Sequence, residues 1–492
     1  MELIWKELNA VRLISQERTQ ARVAGHLPTP DGRTPLEVLS CGAKAIVEST
    51  SFETDEITLK GRVEVTVSAL DESAKVFAFE SKAAFEHKIS VPGAAPGMSA
   101  EAVSCIQSIS AVPADSGVGF EADVDFFVMV TSSVPMKVTG GVTGVNDLEI
   151  KTAELTHSRK IPYGSSTIRM REEIAAEGVA EVISAEGQIS VREVTVEQGA
   201  ASVSGVISVS AVTADSNGRT EQIYRMIPFR ERIGINALDG SAYCEAVLNS
   251  LYLRALGEDF ALISMEAEVS FSLFGIEKAD LVVPVDAFSP TIGFDCLTER
   301  TELIDYKGFS SNQTAIKETI VLPDNSAEME RPLFVSVRPI VTEANVGESG
   351  TEVSGILSTS LAYLSTAGRI YSFTEDIPFS VPIDNEYAAN MPIVIPSCIS
   401  SVTGSADRSV QVQYNLILNS NLYDRIETEI AAGLAEKELN RNDAGIVICL
   451  ASKGEGFFDV AKRYSVSCSS VRELNPDVSE PFSDGEKLIL LM

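Results

Sequence analysis

The sequence predicts a mainly β protein: three tandem β-rich repeat domains, sandwich- or barrel-like, followed by a small C-terminal module at residues 444–492. Three observations predict it. One strand pattern occurs three times, at a spacing near that of a whole domain rather than a solenoid unit. Each copy alternates apolar and polar residues with a period of two. Helical periodicity is sparse before the last stretch of chain.

The copies are LKGRVEVTVSAL (Leu59 to Leu70), VSGVISVSAV (Val203 to Val212) and VSGILSTSLAYL (Val353 to Leu364). They align on Gly61, Gly205 and Gly355. Two positions on lie Val63, Ile207 and Leu357; six on lie Val67, Ala211 and Leu361. Polar residues fill the positions between, among them Glu64, Ser208 and Ser358. One face apolar and one polar is the pattern of a half-buried antiparallel strand. The register continues past a turn: eighteen residues after each glycine comes Phe79, Ile223 or Phe373. Twenty-four after comes Phe85, Phe229 or Phe379, and twenty-eight after comes Ile89, Ile233 or Ile383.

Each copy has a leader and a closing half. The first leader, VAGHLPTPDGRTPLEVL, and the third, TIVLPDNSAEMERPLFV, share a Pro-Asp, at Pro30-Asp31 and Pro323-Asp324; the second, around MREEIAAEGVAEVI, lacks it. These leaders are expected to hold short helices. The closing halves each read as two strands split by a polar turn, with Gly117, Gly257 and Gly404 at or near the turns, where a positive φ is tolerated. Arg425 to Leu439 reads as an amphipathic helix ending the third copy, and Asn440 to Asp443 as a polar linker. The expected layout is a string: repeats at 1–150, 151–300 and 301–439, then the module at 444–492.

Chemistry is hard to place in this chain. Three histidines, His26, His87 and His157, form no ligand-like pair, and the seven cysteines are scattered without a CxxC. No phosphate-binding loop, dinucleotide fingerprint or nucleophile elbow is present. Asp123 and Asp125 alternate with Ala122, Val124 and Phe126, so they read as the solvated face of a strand. Glu172-Glu173, Lys88, Arg230 and Arg232 likewise read as surface positions. The expectation is no enzyme, no cofactor and no metal. A net charge of −31 argues against nucleic acid and anionic membranes as partners. No apolar run is long enough to span a bilayer, and the opening MELIWKELNAVRLISQERTQ has no apolar signal core, so the expected place is the cytoplasm.

The last stretch carries the most specific pattern. Phe457, Val460 and Ala461 are spaced for one helical face, Asn475-Pro476 is a natural helix stop, and Gly485 suits a turn into a strand. These residues, with Gly454-Glu455, Arg463 to Ser467, Val471, Leu474, Lys487, Leu488 and Ile489, resemble a LysM domain, a βααβ module. Val447 to Leu450 stands where that family has Tyr-x-Val, and the family's closing proline is absent. The resemblance implies a core containing Val460, Ala461, Leu474 and Asn475. It also implies a groove for N-acetylglucosamine glycans such as peptidoglycan, on two loops. Those loops supply Gly454, Glu455, Gly456 and Phe457 on one side and Val478, Ser479, Glu480, Pro481 and Phe482 on the other. With no tryptophan or tyrosine there, Phe457 and Phe482 are the stacking candidates; a LysM fold turned to protein binding is the alternative.

The leader TQARVAGHLPTPDG, the repeat and the terminal module together resemble the SPOCS domains and domain order of the SipL family of spore-coat morphogenetic proteins. That resemblance implies a scaffold in the mother cell, at the forespore surface. Its implied partner is the basement-layer coat ATPase, stage IV sporulation protein A. Two functions follow as expectations: a coat-protein docking scaffold, or a peptidoglycan-binding LysM protein.

Overall fold

The computed structural model describes residues 3–197, 199–236, 242–256, 262–347, 350–383, 390–439 and 445–492. The first stretch of chain forms β1 (Leu3–Leu8), β2 (Arg12–Pro28), β3 (Pro35–Glu53), β4 (Glu56–Asp71), β5 (Val76–Ser90), β6 (Ser99–Ala114), β7 (Gly117–Ser132) and β8 (Met136–Val142). The second forms β9 (Glu149–Ala175), β10 (Glu181–Glu197), β11 (Ala200–Ala214), β12 (Thr220–Gly234), β13 (Tyr243–Leu256) and β14 (Leu262–Phe288). The third forms β15 (Phe294–Val321), β16 (Met329–Gly347), β17 (Gly350–Ser365), β18 (Ile370–Ile383), β19 (Met391–Ala406) and β20 (Ser409–Glu436). The chain ends in β21 (Ile446–Ala451), α1 (Phe457–Tyr464), α2 (Cys468–Leu474) and β22 (Glu486–Leu491). Among the described residues the protein is mainly β and closes no barrel.

Three antiparallel meanders, β3-β4-β5, β10-β11-β12 and β16-β17-β18, each pack on a second layer. Those layers are β2-β7-β6, β9-β14-β13 and β15-β20-β19, and a separate apolar core fills each two-layer unit. The alternating residues of the central meander strands build these cores: Val63, Val67, Ile207, Ala211, Leu357 and Leu361 have no exposed surface. Each of the valine, isoleucine and leucine side chains among them contributes about 1.5–3 kcal/mol.

One local device recurs in all three meanders. Gly61, Gly205 and Gly355 stand directly across from Phe85, Phe229 and Phe379. A Cβ on any of them would overlap the carbonyl oxygen of Ile46, Ser190 or Ile340 on the other neighbouring strand, and would reach within 2.8 Å of the phenylalanine ring. The strand opposite carries a bulge just beyond, at Val47/Ser49, Val191/Glu193 and Val341/Glu343. A bare glycine therefore lets the bulged backbone and the ring close on the same spot. A second bulge also recurs, at Val38/Ser40, Val182/Ser184 and Pro332/Phe334.

Several expectations need correction. Arg425 to Glu436 is not a helix but the end of β20, paired with β15 through Ile426↔Leu303 and Leu434↔Cys296. Ile426 and Ile430 lie four apart, a spacing that suits both a helix and a strand face; the ladder offered by β15 decides it. The leaders are strand–turn–strand, with one short 3-10 turn at Pro30–Gly32. Gly117 is required by close approach, since a Cβ there would overlap the Leu27 carbonyl oxygen. Near Gly404 the left-handed residue is Asp407, at φ 43°. Gly257 and the linker Asn440 to Asp443 lie outside the described residues.

The units are not strung out. The layers of the first and third form one six-stranded sheet, β19-β20-β15-β2-β7-β6, whose β15–β2 junction is a single pair, Leu303↔Arg12. Apolar clusters shared by all three units and a polar hub tie them together. The Asn421 amide on β20 donates to Glu245 of the second unit (2.7 Å) and Glu101 of the first (3.3 Å). Its oxygen accepts from the Tyr306 hydroxyl (3.0 Å) and the Lys160 ammonium (3.3 Å). Lys160 also pairs with Glu245 at 2.8 Å and lies 4.0 Å from the centre of the Phe274 ring. The Tyr423 hydroxyl donates to Glu101. Burial pushes the Glu101 carboxyl above its ordinary range. A raised carboxyl pKa means that folding takes up a proton, so Glu101's contribution is most favourable in acid and is lost as pH rises through its raised value. Among the described residues no helix is long and apolar enough to cross a membrane.

Two outcomes test this packing. Gly205→Ala should cost about 1–3 kcal/mol by overpacking. Gly234→Ala, where an added Cβ meets nothing within 4 Å, should stay within about 0.5 kcal/mol; urea unfolding of the full chain compares them. Asn421→Asp adds a third carboxylate to the cluster and should cost about 3–5 kcal/mol at pH 7. Glu101 and Glu245 beside that carboxylate disfavour its ionisation, so the loss should shrink as the melting buffer is taken toward pH 5.

Candidate functional site: the C-terminal module

Residues 446–451 are apolar without a break, and β21 pairs with β22 in the order Ile446↔Leu491, Ile448↔Ile489 and Leu450↔Lys487. One face of this two-stranded sheet, with Cys449, Ala451, Leu488 and Leu490, packs on the helices. α1 buries Phe457, Val460 and Ala461 and ends at Ser465, which is left-handed at φ 53°. α2 starts at Ser467, whose hydroxyl accepts from the Ser470 N–H at 3.1 Å, and buries Val471. The buried Asn475 side chain ties the end of α2 to the sheet. It donates to the carbonyls of Val471 (2.7 Å) and Ile489 (2.8 Å) and accepts from the Ile489 N–H (2.8 Å).

Of the core residues that the resemblance implies, Val460, Ala461 and Asn475 are buried. Leu474 is not: it is 38% exposed. α2 ends there, and Val471 together with Asn475, one helical turn apart, occupies the inward face.

The two predicted groove loops do meet. The Gly454 N–H donates to the Phe482 carbonyl (2.9 Å), and the Phe482 N–H to that of Glu455 (2.8 Å). Their side chains do not form an open sugar platform. Phe457 and Phe482 are buried and pack edge to face, ring centres 4.9 Å apart. Stacking a sugar on either ring would require taking it out of the core. The Glu480 carboxylate lies between the loops, accepting from the Phe457 N–H at the start of α1 (2.8 Å) and pairing with Arg472 (2.9 Å). Arg472 in turn covers the Phe457 ring at 5.2 Å. Glu455 accepts from the Ser452 N–H and pairs with Arg463. Ser479 and Pro481 are exposed, and Gly454, Gly456 and Val478 complete the loops.

The module is docked on the second unit through its helices. Lys151 pairs with Asp459 (2.8 Å), Lys462 with Asp286 (2.6 Å), and the Cys468 N–H donates to Glu149 (2.8 Å). Phe458 meets Phe288 edge to face at 5.1 Å. Burial pushes the Asp459 carboxyl up, but Lys151, the Gly456 N–H and Lys462 outweigh it and hold its pKa below the usual range.

With helices turned to the body, the outer face of the sheet points to solvent. It carries Ile446, Ile448, Leu450, Ile489 and Leu491, between 43% and 75% exposed. A contiguous aliphatic patch of this kind marks an interaction surface. The sequence signal for it is the unbroken apolar run in both strands, which gives each strand two apolar faces where the module has one core. Elsewhere, the solvated carboxylates behave as read: Asp123 pairs with Arg22 at 2.9 Å, and Asp125 accepts from Gln20 at 2.9 Å on the wall of a cleft of about 450 Å3.

Taken together, fold and site define a multi-unit β-sandwich protein with a small two-helix module at its C-terminal end. Residues 35–112, from β3 to β6, match the family described as SipL, SPOCS domain. That match supports a SipL-like protein and points to a sporulation, coat-related role. No curated protein and no solved structure matches the chain.

A charge in the core should unfold the module, whereas one at the exposed end of α2 should not. Val460→Asp should destabilise it by more than about 4 kcal/mol, and Leu474→Asp by no more than about 0.5 kcal/mol. Hydrogen exchange of the β22 amides in the full chain reads the difference.

Proposed function

We propose that the protein is a non-catalytic scaffold of the spore coat, in which three SPOCS-type sandwiches carry a LysM-like module that docks another coat protein. The observation that carries this reading is the exposed Ile446, Ile448, Leu450, Ile489 and Leu491 face, set against a glycan groove whose two aromatic rings are buried. The SPOCS match over residues 35–112 supports the coat setting. The recurring glycine, bulge and phenylalanine support reading the second and third units as further copies of that domain.

From the resemblance, the proposed partner is the basement-layer coat ATPase, and the proposed place is the mother-cell cytoplasm at the forespore surface. The net charge of −31 fits neither nucleic acid nor an anionic membrane as the partner. Peptidoglycan is the competing ligand, favoured only by the adjacency of the two loops. Here the loops are crossed by Glu480.

The test is capture of the coat ATPase by the full-length protein and by Ile448→Asp. Loss of capture in the variant, with an unchanged melting temperature, is the expected result. Equal capture by both would remove the sheet face as the docking surface. Retention of both on peptidoglycan or chitin oligomers, without capture of the ATPase, would favour the glycan reading.

A further inference from the structure

The three meanders meet around a cavity of about 20 Å3, lined by residues of all three units. In the register set by the recurring glycines and bulges, Ser40, Ser184 and Phe334 are equivalent positions, as are Gly42, Glu186 and Ser336. Hydroxyls and a carboxylate share the lining with Val212 and Phe334, where three apolar-cored sandwiches adjoin.

One wall is closed by its own hydrogen bonds. The Gln222 amide donates to the Ser210 hydroxyl (2.8 Å) and the Val335 carbonyl (2.9 Å), and Ser210 donates to the Ser400 carbonyl (3.0 Å). The rest of the wall is not. Ser40, Thr66, Ser68, Ser184, Ser336 and Glu186 all face the cavity, and none of their side chains has a hydrogen-bond or ion-pair partner among the described residues. Two of these hydroxyls are deep: Ser40 is 8% exposed and Ser68 5%. Their oxygens open onto the cavity rather than onto a protein partner, so they are free to bind what enters it. Six oxygen-bearing side chains around one small space, with none bonded to another, leave room for a particle that bonds to several at once. Gly42 confirms the room from its side, since a Cβ there would meet nothing within 4 Å.

Charge distinguishes the occupant. Burial, with the like charge of Glu80 nearby, pushes the Glu186 carboxyl up to about 7. No Lys or Arg pairs with Glu186 among the described residues. The polar part of the lining that lacks partners is hydroxyls and one carboxylate, a set of oxygen ligands that suits a hard cation. A single carboxylate balances a single positive charge. A cavity of water size leaves no space for the water shell that magnesium keeps, and calcium sites commonly use several carboxylates. Glu186 is only half-buried, which gives a way in, and the acidic chain concentrates cations around itself.

We propose that this cavity binds one monovalent cation of potassium's size, held by the Glu186 carboxylate and the hydroxyls of Ser40, Ser68 and their neighbours, and that the ion ties the three units together where they meet.

The experiment is thermal melting of the full chain at fixed ionic strength, with choline chloride replaced stepwise by potassium chloride. The expected result is a saturable rise in melting temperature. Glu186→Gln, which keeps size and polarity, should remove it, and so should Gly42→Val, which fills the space from the opposite wall. Crystals grown in thallium(I) should show an anomalous scatterer beside Glu186. Equal melting of the wild-type protein in choline and potassium would overturn the proposal. So would an unchanged potassium response in both variants, or water alone at the site in the thallium crystal.

Discussion

At the junction of the three units one amide, set beside apolar clusters that they share, ties all of them. Asn421 is uncharged yet offers donors and an acceptor on the same group. It can therefore satisfy Glu101 and Glu245 with its nitrogen while its oxygen takes Tyr306 and Lys160. Neither a carboxylate nor an ammonium could do both. The backbone contributes little at this junction, since β15 and β2 share one pair of residues. The cost of desolvating two carboxylates is offset only while every member of the network is bonded. The hub, together with the apolar clusters shared between the units, fixes how three separate cores sit against one another, and with that the position of the cavity between their meanders.

What was legible in the sequence is what is local. The twenty-four-residue spacing from glycine to phenylalanine is a hairpin register, so the cross-strand pairs Gly61↔Phe85, Gly205↔Phe229 and Gly355↔Phe379 were already present as a repeat. The hub was not legible. Glu101 and Asn421 lie 320 residues apart, and neither belongs to the repeated pattern. The stretch after Arg425 was read as a helix because its isoleucines satisfy two periods at once, and only the partner strand settles which applies. Within the C-terminal module spacing placed one helical face, a helix stop and a turn, and the loops and the rest of the core came from the family resemblance. The roles of Phe457 and Phe482 could not be placed, because an aromatic residue in a loop reads the same whether its ring faces a ligand or the core. The outer sheet face was visible as an unbroken apolar run, but a run of this kind does not say which of its two faces is covered.

The way the module is held explains why that face is available. Its helices, which would otherwise offer charged and aromatic side chains to solvent, spend Asp459, Lys462 and Phe458 on the second unit. The sheet is left on the far side. The groove loops are stitched to each other by main-chain bonds and by Glu480. A partner therefore meets a fixed apolar surface on a module whose orientation is set by the body.

The four longest strands, β9, β14, β15 and β20, have 27 or 28 residues each and form two paired ladders. At a rise of about 3.3 Å per residue such a strand extends on the order of 90 Å, allowing for little curvature. Each ladder runs on from a sandwich core into the apolar clusters shared between units. A force drawn along these ladders would strain many rungs at the same moment, whereas a force across them would break rungs singly. The molecule is consequently stiff in one direction and weak in another, like timber along and across its grain.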